Sequence, residues 1–342
     1  MKLDRLDFSI IIAVYQRAEE LSELLLSLEK QTDKSFEVIV IDDGSPIPLK
    51  DITEDFKESL NIRYFHKKNS GPGLSRNFGM TKANGNYFIF LDSDTLIPEN
   101  YIEIVRKKLN ENFTDAYGGP DAADNNFSVL QKSISFSMTS VLTTGGIRGG
   151  SERVGKFQPR SFNMGISKKA FEKTGGFGNL RIGEDPDLSM TLWENDFETQ
   201  LIKEAFVYHK RRTSMSKFAK QVYQFGIARP ILNQRHPGSG KLAYWFPTLF
   251  SIGKIVSFLL FVCYFYSNQN WLIIPILFYI LYFNAIFFSS LIKTNSLLTA
   301  RITPWIVGIQ FFSYGFGFLK SWIYLNIFRL KPEKAFSKHF TI

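Results

Sequence analysis

Asn86-Tyr87-Phe88-Ile89-Phe90-Leu91 runs directly into Asp92-Ser93-Asp94, and this junction decides how the chain reads. The apolar half is short and aromatic and follows the turn residues Asn84-Gly85, so it predicts a buried strand. The polar half places two carboxylates two residues apart at the strand's carboxyl end, where ligands bind in open α/β sheets. An Asp-x-Asp there can hold a hard divalent cation, Mg2+ or Mn2+, which in turn holds a diphosphate. An acidic pair after a strand can also be only a solvated turn, so the flanking sequence has to separate the two readings.

Phe8-Ser9-Ile10-Ile11-Ile12-Ala13-Val14-Tyr15 predicts a second buried strand, followed by an amphipathic helix with Leu21, Leu24, Leu25 and Leu28 at helical spacing. Phe36-Glu37-Val38-Ile39-Val40-Ile41 predicts a third strand, ending in Asp42-Asp43-Gly44-Ser45. A weaker strand, Ile62-Arg63-Tyr64-Phe65, precedes the glycine-rich run from Asn69 to Asn77. Strand, helix, strand, helix, strand is the pattern of a parallel sheet with right-handed crossovers. Polar loops from three strand ends then meet on one edge.

In this order the motifs resemble the inverting family-2 glycosyltransferases of the GT-A fold: a strand ending near Tyr15, Asp-Asp-Gly-Ser, a glycine-rich segment closing on Arg76-Asn77, and Asp-x-Asp. The resemblance continues through Asn163-Met164-Gly165-Ile166, Phe171, Gly175-Gly176-Phe177 and Gly183-Glu184-Asp185-Pro186-Asp187-Leu188, and covers roughly residues 7–230. Ala13 stands where many members carry Pro, and Gln16-Arg17 where Asn is common. The resemblance implies a Rossmann-like nucleotide-diphospho-sugar transferase domain. It places Ala13, Tyr15, Asp42, Asp43, Gly73, Arg76, Asn77, Asp92 and Ser93 at the nucleotide. It puts Tyr15 stacked on the base, Asp43 hydrogen-bonded to it, and Asp94 with Asp92 at the metal.

Each motif also has a structural reading. Asp42-Asp43-Gly44-Ser45 suits a strand-ending turn. Gly71-Pro72-Gly73 could be only a loop, although its glycines permit close approach of a ligand and Arg76 supplies a fixed charge for a diphosphate. Glu184, Asp185 and Pro186 favour the first turn of a helix. An inverting transfer needs a base to take the acceptor hydroxyl's proton, and a helix start is a rigid mount for a carboxylate. The resemblance makes Asp185 that base and Glu184 a helper or acceptor contact. His209 ends a strand before a basic run; a lone His is commonly a surface or capping residue, but in similar enzymes one near here approaches the diphosphate.

The 44% apolar share, with 34 Phe, is concentrated in the second half. Residues 245–266 and 271–292 are nearly uncharged and about twenty residues each, enough to cross a bilayer. A third stretch runs from about Ile302 to Phe328, and Trp245, Trp271, Trp305 and Trp322 lie near stretch ends as interface anchors do. The expected organisation is a transferase domain over 1–212, an interfacial amphipathic helix and linker over 213–243, about three transmembrane helices over 244–328, and a basic tail over 329–342. Around Gln221–Arg229, the apolar Phe218, Val222 and Phe225 with basic Lys217, Lys220 and Arg229 predict that interfacial helix. Residues 1–7 are polar, which places the catalytic domain on the cytoplasmic face of a plasma (inner) membrane, multi-pass.

Charged loops agree for the first two crossings. A third crossing would put Arg329, Lys331, Lys334 and Lys338 outside, against the positive-inside tendency, unless the last stretch bends back, helped by Gly315 and Gly317.

The net charge of +9 would suit nucleic acid, but no nucleic-acid module accompanies it, and a basic face beside membrane helices better fits membrane lipids and a lipid-diphosphate acceptor. The single cysteine, Cys263, excludes an intrachain disulfide. The expected function is a membrane-anchored, inverting hexosyltransferase that uses a UDP or GDP sugar and a glycan or polyprenyl-linked acceptor, in polysaccharide or glycoconjugate synthesis. Two alternatives stand beside it: a polyprenyl-phosphate sugar synthase, and a non-catalytic nucleotide-sugar-binding assembly protein.

Overall fold

The computed structural model describes residues 6–122, 127–144, 156–209, 214–267 and 269–341. In chain order the first half contains β1 (Phe8–Val14), α1 (Ala18–Glu29), β2 (Phe36–Asp42), α2 (Lys50–Glu54), β3 (Ile62–His66), α3 (Pro72–Lys82) and β4 (Tyr87–Leu91). Next come β5 (Thr95–Leu96), α4 (Tyr101–Glu111), β6 (Ala116–Gly118), β7 (Asp121–Ala122), α5 (Val129–Thr139) and α6 (Val141–Thr144). The middle of the chain adds β8 (Asn163–Ser167), α7 (Lys168–Thr174), α8 (Glu184–Glu194), β9 (Thr199–Leu201) and β10 (Val207–His209). The remainder is helical: α9 (Met215–Arg235), α10 (Phe246–Ser267), α11 (Ile274–Thr294), α12 (Leu297–Trp322) and α13 (Pro332–Ala335).

The main sheet runs β3-β2-β1-β4-β8-β6-β9. β1 pairs in parallel with β2 and β4, with Ile11 level with both Ile39 and Phe90. β8 reverses direction against β4, with Met164 opposite Phe90. Alternate side chains of each central strand serve opposite faces. Ile10, Ile12 and Ile89 join the four buried leucines of α1, Leu21, Leu24, Leu25 and Leu28, whereas Ile11, Phe88 and Phe90 pack with Met80, Phe177 and Leu188. A sheet covered on both faces is written as continuous apolar runs, which is why these strands were readable. The carboxyl ends of β1, β2 and β4 lie on one edge, as expected. β5, β10 and β7 form a separate three-stranded sheet beyond that edge.

Two compact units divide the chain, and neither is continuous in sequence. One takes Met1–Asp124, Glu152–Lys210 and Lys338–Ile342; the other takes Asn125–Ser151 and Arg211–Ser337. The expected cut near residue 212 therefore leaves out an excursion and a return. The excursion has a physical cause: Ile134 and Met138 of α5 are buried against Phe218 and Val222 of α9 and Ile306 of α12. That apolar stripe of α9, expected at a lipid interface, is thus consumed within its own unit.

The last apolar stretch does not bend at its glycines; α12 is continuous through Gly315 and Gly317. A Cβ on Gly317 would lie 2.3 Å from the Tyr223 carbonyl oxygen, and one on Gly226 would lie 2.3 Å from that of Tyr314. These glycines let α9 and α12 cross backbone to backbone. Three helical segments, Leu242–Ser267, Asn270–Thr294 and Leu297–Ile327, are long and apolar enough to cross a membrane.

Candidate active site

The site is built at the carboxyl edge of the main sheet, within the first unit. β2 ends in Asp42, whose fully buried carboxylate is taken up by the fold. Its Oδ1 accepts from the Ser45 amide (2.9 Å), and its Oδ2 accepts from the Leu49 amide (3.1 Å) and the Tyr64 hydroxyl (2.7 Å). Burial pushes the carboxyl up, but these donors outweigh it and hold Asp42 below the ordinary range. Asp43 accepts from Lys67 Nζ (2.6 Å) and from the amides of Ser70 and Gly71 (both 2.8 Å), so it ties the glycine-rich loop to the end of β2.

At the end of β1, Ala13 is half-buried and Tyr15 is 45% exposed, which leaves its ring open for stacking. Gln16, in the left-handed region, donates its amide to Ser45 Oγ and turns the chain toward Arg17.

The glycine-rich loop leads into α3. Close approach at Gly73 is to the protein itself, since a Cβ there would lie 3.1 Å from Phe177 Cβ and 3.7 Å from Glu184 Cβ. Asn77 clasps the backbone of Phe177, donating to its carbonyl and accepting from its amide, both at 2.8 Å. Gly73 and Asn77, both expected at the nucleotide, thus join α3 to the segment that opens α8.

Arg76 is the hub. Only 3% of its side chain is exposed. Its Nη2 donates to Asp92 Oδ1 (2.6 Å), its Nη1 lies 3.6 Å from Glu184 Oε1, and its guanidinium sits over the Phe177 ring. Nε and Nη1 are buried without a hydrogen-bond partner. A buried guanidinium with unused donors suits an anionic ligand with several oxygens.

Asp94 pairs with Arg17, whose pKa lies above its usual value; burial lowers it, and the Asp94 carboxylate more than restores it. Ser93 between the two aspartates is buried, and the Asp92 carbonyl accepts from Thr95 to form a tight turn. The backbone of His209 lies opposite Thr95 in the small sheet; its side chain is outside the described residues. Two carboxylates without sulfur or imidazole suit a hard divalent cation. Among the described residues no group of three or more His, Cys, Asp or Glu is placed to hold a metal ion by itself, so an ion on the Asp92–Asp94 pair would need ligand oxygens to complete its shell.

α8 begins at Glu184-Asp185 after Gly183, which is left-handed. Burial, then the neighbouring Asp185 charge, pushes the Glu184 carboxyl well above its ordinary value despite Arg76. Asp185 Oδ2 lies 3.4 Å from Arg160 Nη1. Arg17, Arg160 and Lys67 belong to none of the sequence motifs. A cation just past β1 was a usable signal for Arg17, whereas Arg160 reaches the site only through the fold. The structure thus gathers Asp92, Arg76, Glu184 and Asp185 in one chain of contacts, with Arg17 and Asp94 beside it. Asp42, Gly73 and Asn77 act within the framework.

Residues 9–175 match the profile of glycosyl transferase family 2. An uncharacterised glycosyltransferase of Rickettsia felis is 46% identical over 104 residues, which is 30% of this chain and 17% of that protein. The match thus spans less than a fifth of that relative's length. Among solved structures, the mannosyltransferase PcManGT from Pyrobaculum calidifontis, in complex with GDP-Man and Mn2+, superposes with a TM-score of 0.57 at 15% identity, over 92% of this chain and 88% of that one. S. aureus TarS 1–349 gives 0.50 at 19% identity, over 92% and 91%. Both show the fold.

Proposed function

Starting from a chain that carries a glycosyl transferase family 2 domain, we infer that it moves a sugar from a nucleotide diphosphate sugar to an acceptor hydroxyl on a glycan or polyprenyl-linked carrier, with inversion. One observation carries this reading: Asp92 of the Asp-x-Asp turn and Glu184 of the Glu-Asp pair face the same buried arginine, Arg76. This contact supports a reading in which the group proposed at the donor, Asp92, and the Glu184-Asp185 pair proposed at the acceptor would meet at one site.

Tyr15 would stack on the base beside Asp43. Arg76, with its unused donors, and Arg17, released from Asp94, would bind the diphosphate oxygens. Asp92 and Asp94 would hold Mg2+ or Mn2+, which when bound neutralises charge on the leaving diphosphate. PcManGT, with Mn2+ in its complex, supports this cofactor class.

The acceptor oxygen attacks the anomeric carbon as the bond from that carbon to the diphosphate oxygen breaks. The acceptor's proton passes to the Asp185 carboxylate. Arg160, 3.4 Å from Asp185, would orient that carboxylate. Glu184, held largely protonated, would donate a hydrogen bond to the acceptor. No covalent intermediate is required.

The apolar helices would hold the enzyme at a plasma (inner) membrane, with the catalytic domain cytoplasmic and the acceptor within reach. The test is release of nucleoside diphosphate by purified full-length protein from a panel of UDP and GDP sugars, with and without Mn2+ and extracted lipid-linked acceptor. Release that requires both metal and acceptor is expected. No release from any donor in the presence of acceptor would overturn the reading.

A further inference from the structure

The three apolar segments are not equivalent within their own unit. α10 exposes Leu249, Ile252, Ile255, Val256, Phe258 and Leu259, and so is apolar and uncovered around most of its girth; α11 is similar. α12 instead exposes one stripe at helical spacing: Leu298, Arg301, Trp305, Phe312 and Phe316. Its other faces are covered along its length. Thr303 meets Ser290 near the end of α11 (2.9 Å), and Thr248 near the start of α10 donates to the Gly315 carbonyl (3.0 Å). Ser133 of α5 donates to the Thr299 carbonyl (3.2 Å), and Ser321 donates to the Ile227 carbonyl of α9 (2.9 Å).

If α10 and α11 cross a bilayer as a hairpin, the start of one and the end of the other emerge on the same side. α12 touches both there, so it runs across the hairpin's base. It also carries α9, with Lys217, Lys220, Gln221, Gln224 and Arg229, along its flank. A spanning α12 would draw those groups into hydrocarbon.

A second observation is independent of this packing. The chain leaves the catalytic unit after residue 210 and rejoins it at 338. Arg181 donates its amide to the His339 carbonyl and Thr341 donates its own to the Asn179 carbonyl, both at 2.8 Å, while Phe340 bridges Leu180 and is buried. A chain that leaves and re-enters one folded unit crosses a membrane an even number of times, and three crossings are odd. With two crossings, Arg329, Lys331, Lys334 and Lys338 fall on the side of Lys241 and Lys293, as basic residues flanking membrane helices do.

We propose that α10 and α11 are the two transmembrane crossings, and that α12 lies on the lipid surface at their base through its Leu298–Phe316 stripe. The segment from Lys338 to Thr341 is then on the catalytic side. This rests on the membrane placement within the proposed function and not on the transfer chemistry.

The test uses the full chain with exposed Cys263 replaced by Ala. Single cysteines at the exposed positions Lys107, Gln269, Lys293 and Lys338 are labelled with a membrane-impermeant maleimide in vesicles of both orientations. Lys107→Cys, Lys293→Cys and Lys338→Cys are expected to label from one side and Gln269→Cys from the other. Lys338→Cys labelling with Gln269→Cys would mean three crossings, and all four together none; either overturns the proposal. Ser337→Cys gives the same reading should Lys338→Cys fail to accumulate. Transfer measured in the same vesicles separates the two ideas: correct sidedness without transfer sinks only the proposed function.

Discussion

β2 and β4 lie in one parallel sheet with β1 between them, and both end in acidic pairs, yet the two pairs are held differently. At the end of β2, Asp42 and Asp43 are bound by backbone amides, the Tyr64 hydroxyl and Lys67. At the end of β4, Asp92 and Asp94 face two arginines, Arg76 and Arg17. Backbone amides are fixed donors, so a carboxylate that holds them shapes a loop. An arginine side chain can give up its carboxylate when a cation and a diphosphate arrive, because it can turn to the diphosphate instead. Two similar sequence signals thus separate into a pair tied to the framework and a pair held by arginines, which we propose as the working pair.

The largest expected effect lies beside the working pair. Asp185→Asn removes the proposed base and should lower transfer by about 10²–10⁴-fold while donor affinity stays within error of wild type. Single-turnover transfer and donor titration check both; unchanged transfer would remove Asp185 from the chemistry.

Asp42→Asn tests the framework pair. It would place a second donor against Tyr64 and Leu49, and should cost about 1–3 kcal/mol of stability for the mismatched buried group, read as a lowered melting temperature. Asp94→Asn, by contrast, should move melting little and depress transfer. An Asp94→Asn protein that melts as early as Asp42→Asn would break the comparison.

The smallest effect concerns Glu184. Its folded-state pKa is raised, so the folded protein keeps a proton that the unfolded chain loses above the ordinary value of 4.5. Stability therefore falls as pH rises from that value through the raised one. Glu184→Gln should flatten this part of the melting-temperature profile. A profile as steep as wild type would show that Glu184 is not the group responsible.

How much of this was legible follows from what each element buries. β1, β2 and β4 are covered on both faces, and their apolar runs announce themselves. β5, β7, β9 and β10 are two or three residues long and carry no period to read. The Asp-x-Asp turn and the Glu-Asp pair were visible because each stands at an element boundary. That Asp42 is consumed was not, since it depends on Tyr64 and Leu49 arriving from other elements. Asn77 read as a ligand contact because its clasp partner, Phe177, lies 100 residues away. α5 was missed because its apolar residues alternate with Ser and Lys, and only α9 and α12 complete its cover.

The most direct test of the contrast is donor-nucleotide affinity with and without Mn2+ in wild type, Asp42→Asn and Asp94→Asn. Mn2+ should tighten binding in wild type and in Asp42→Asn, and leave Asp94→Asn unchanged. Equal affinity with and without metal in the wild-type protein would contradict the assignment of Asp92 and Asp94 as the working pair.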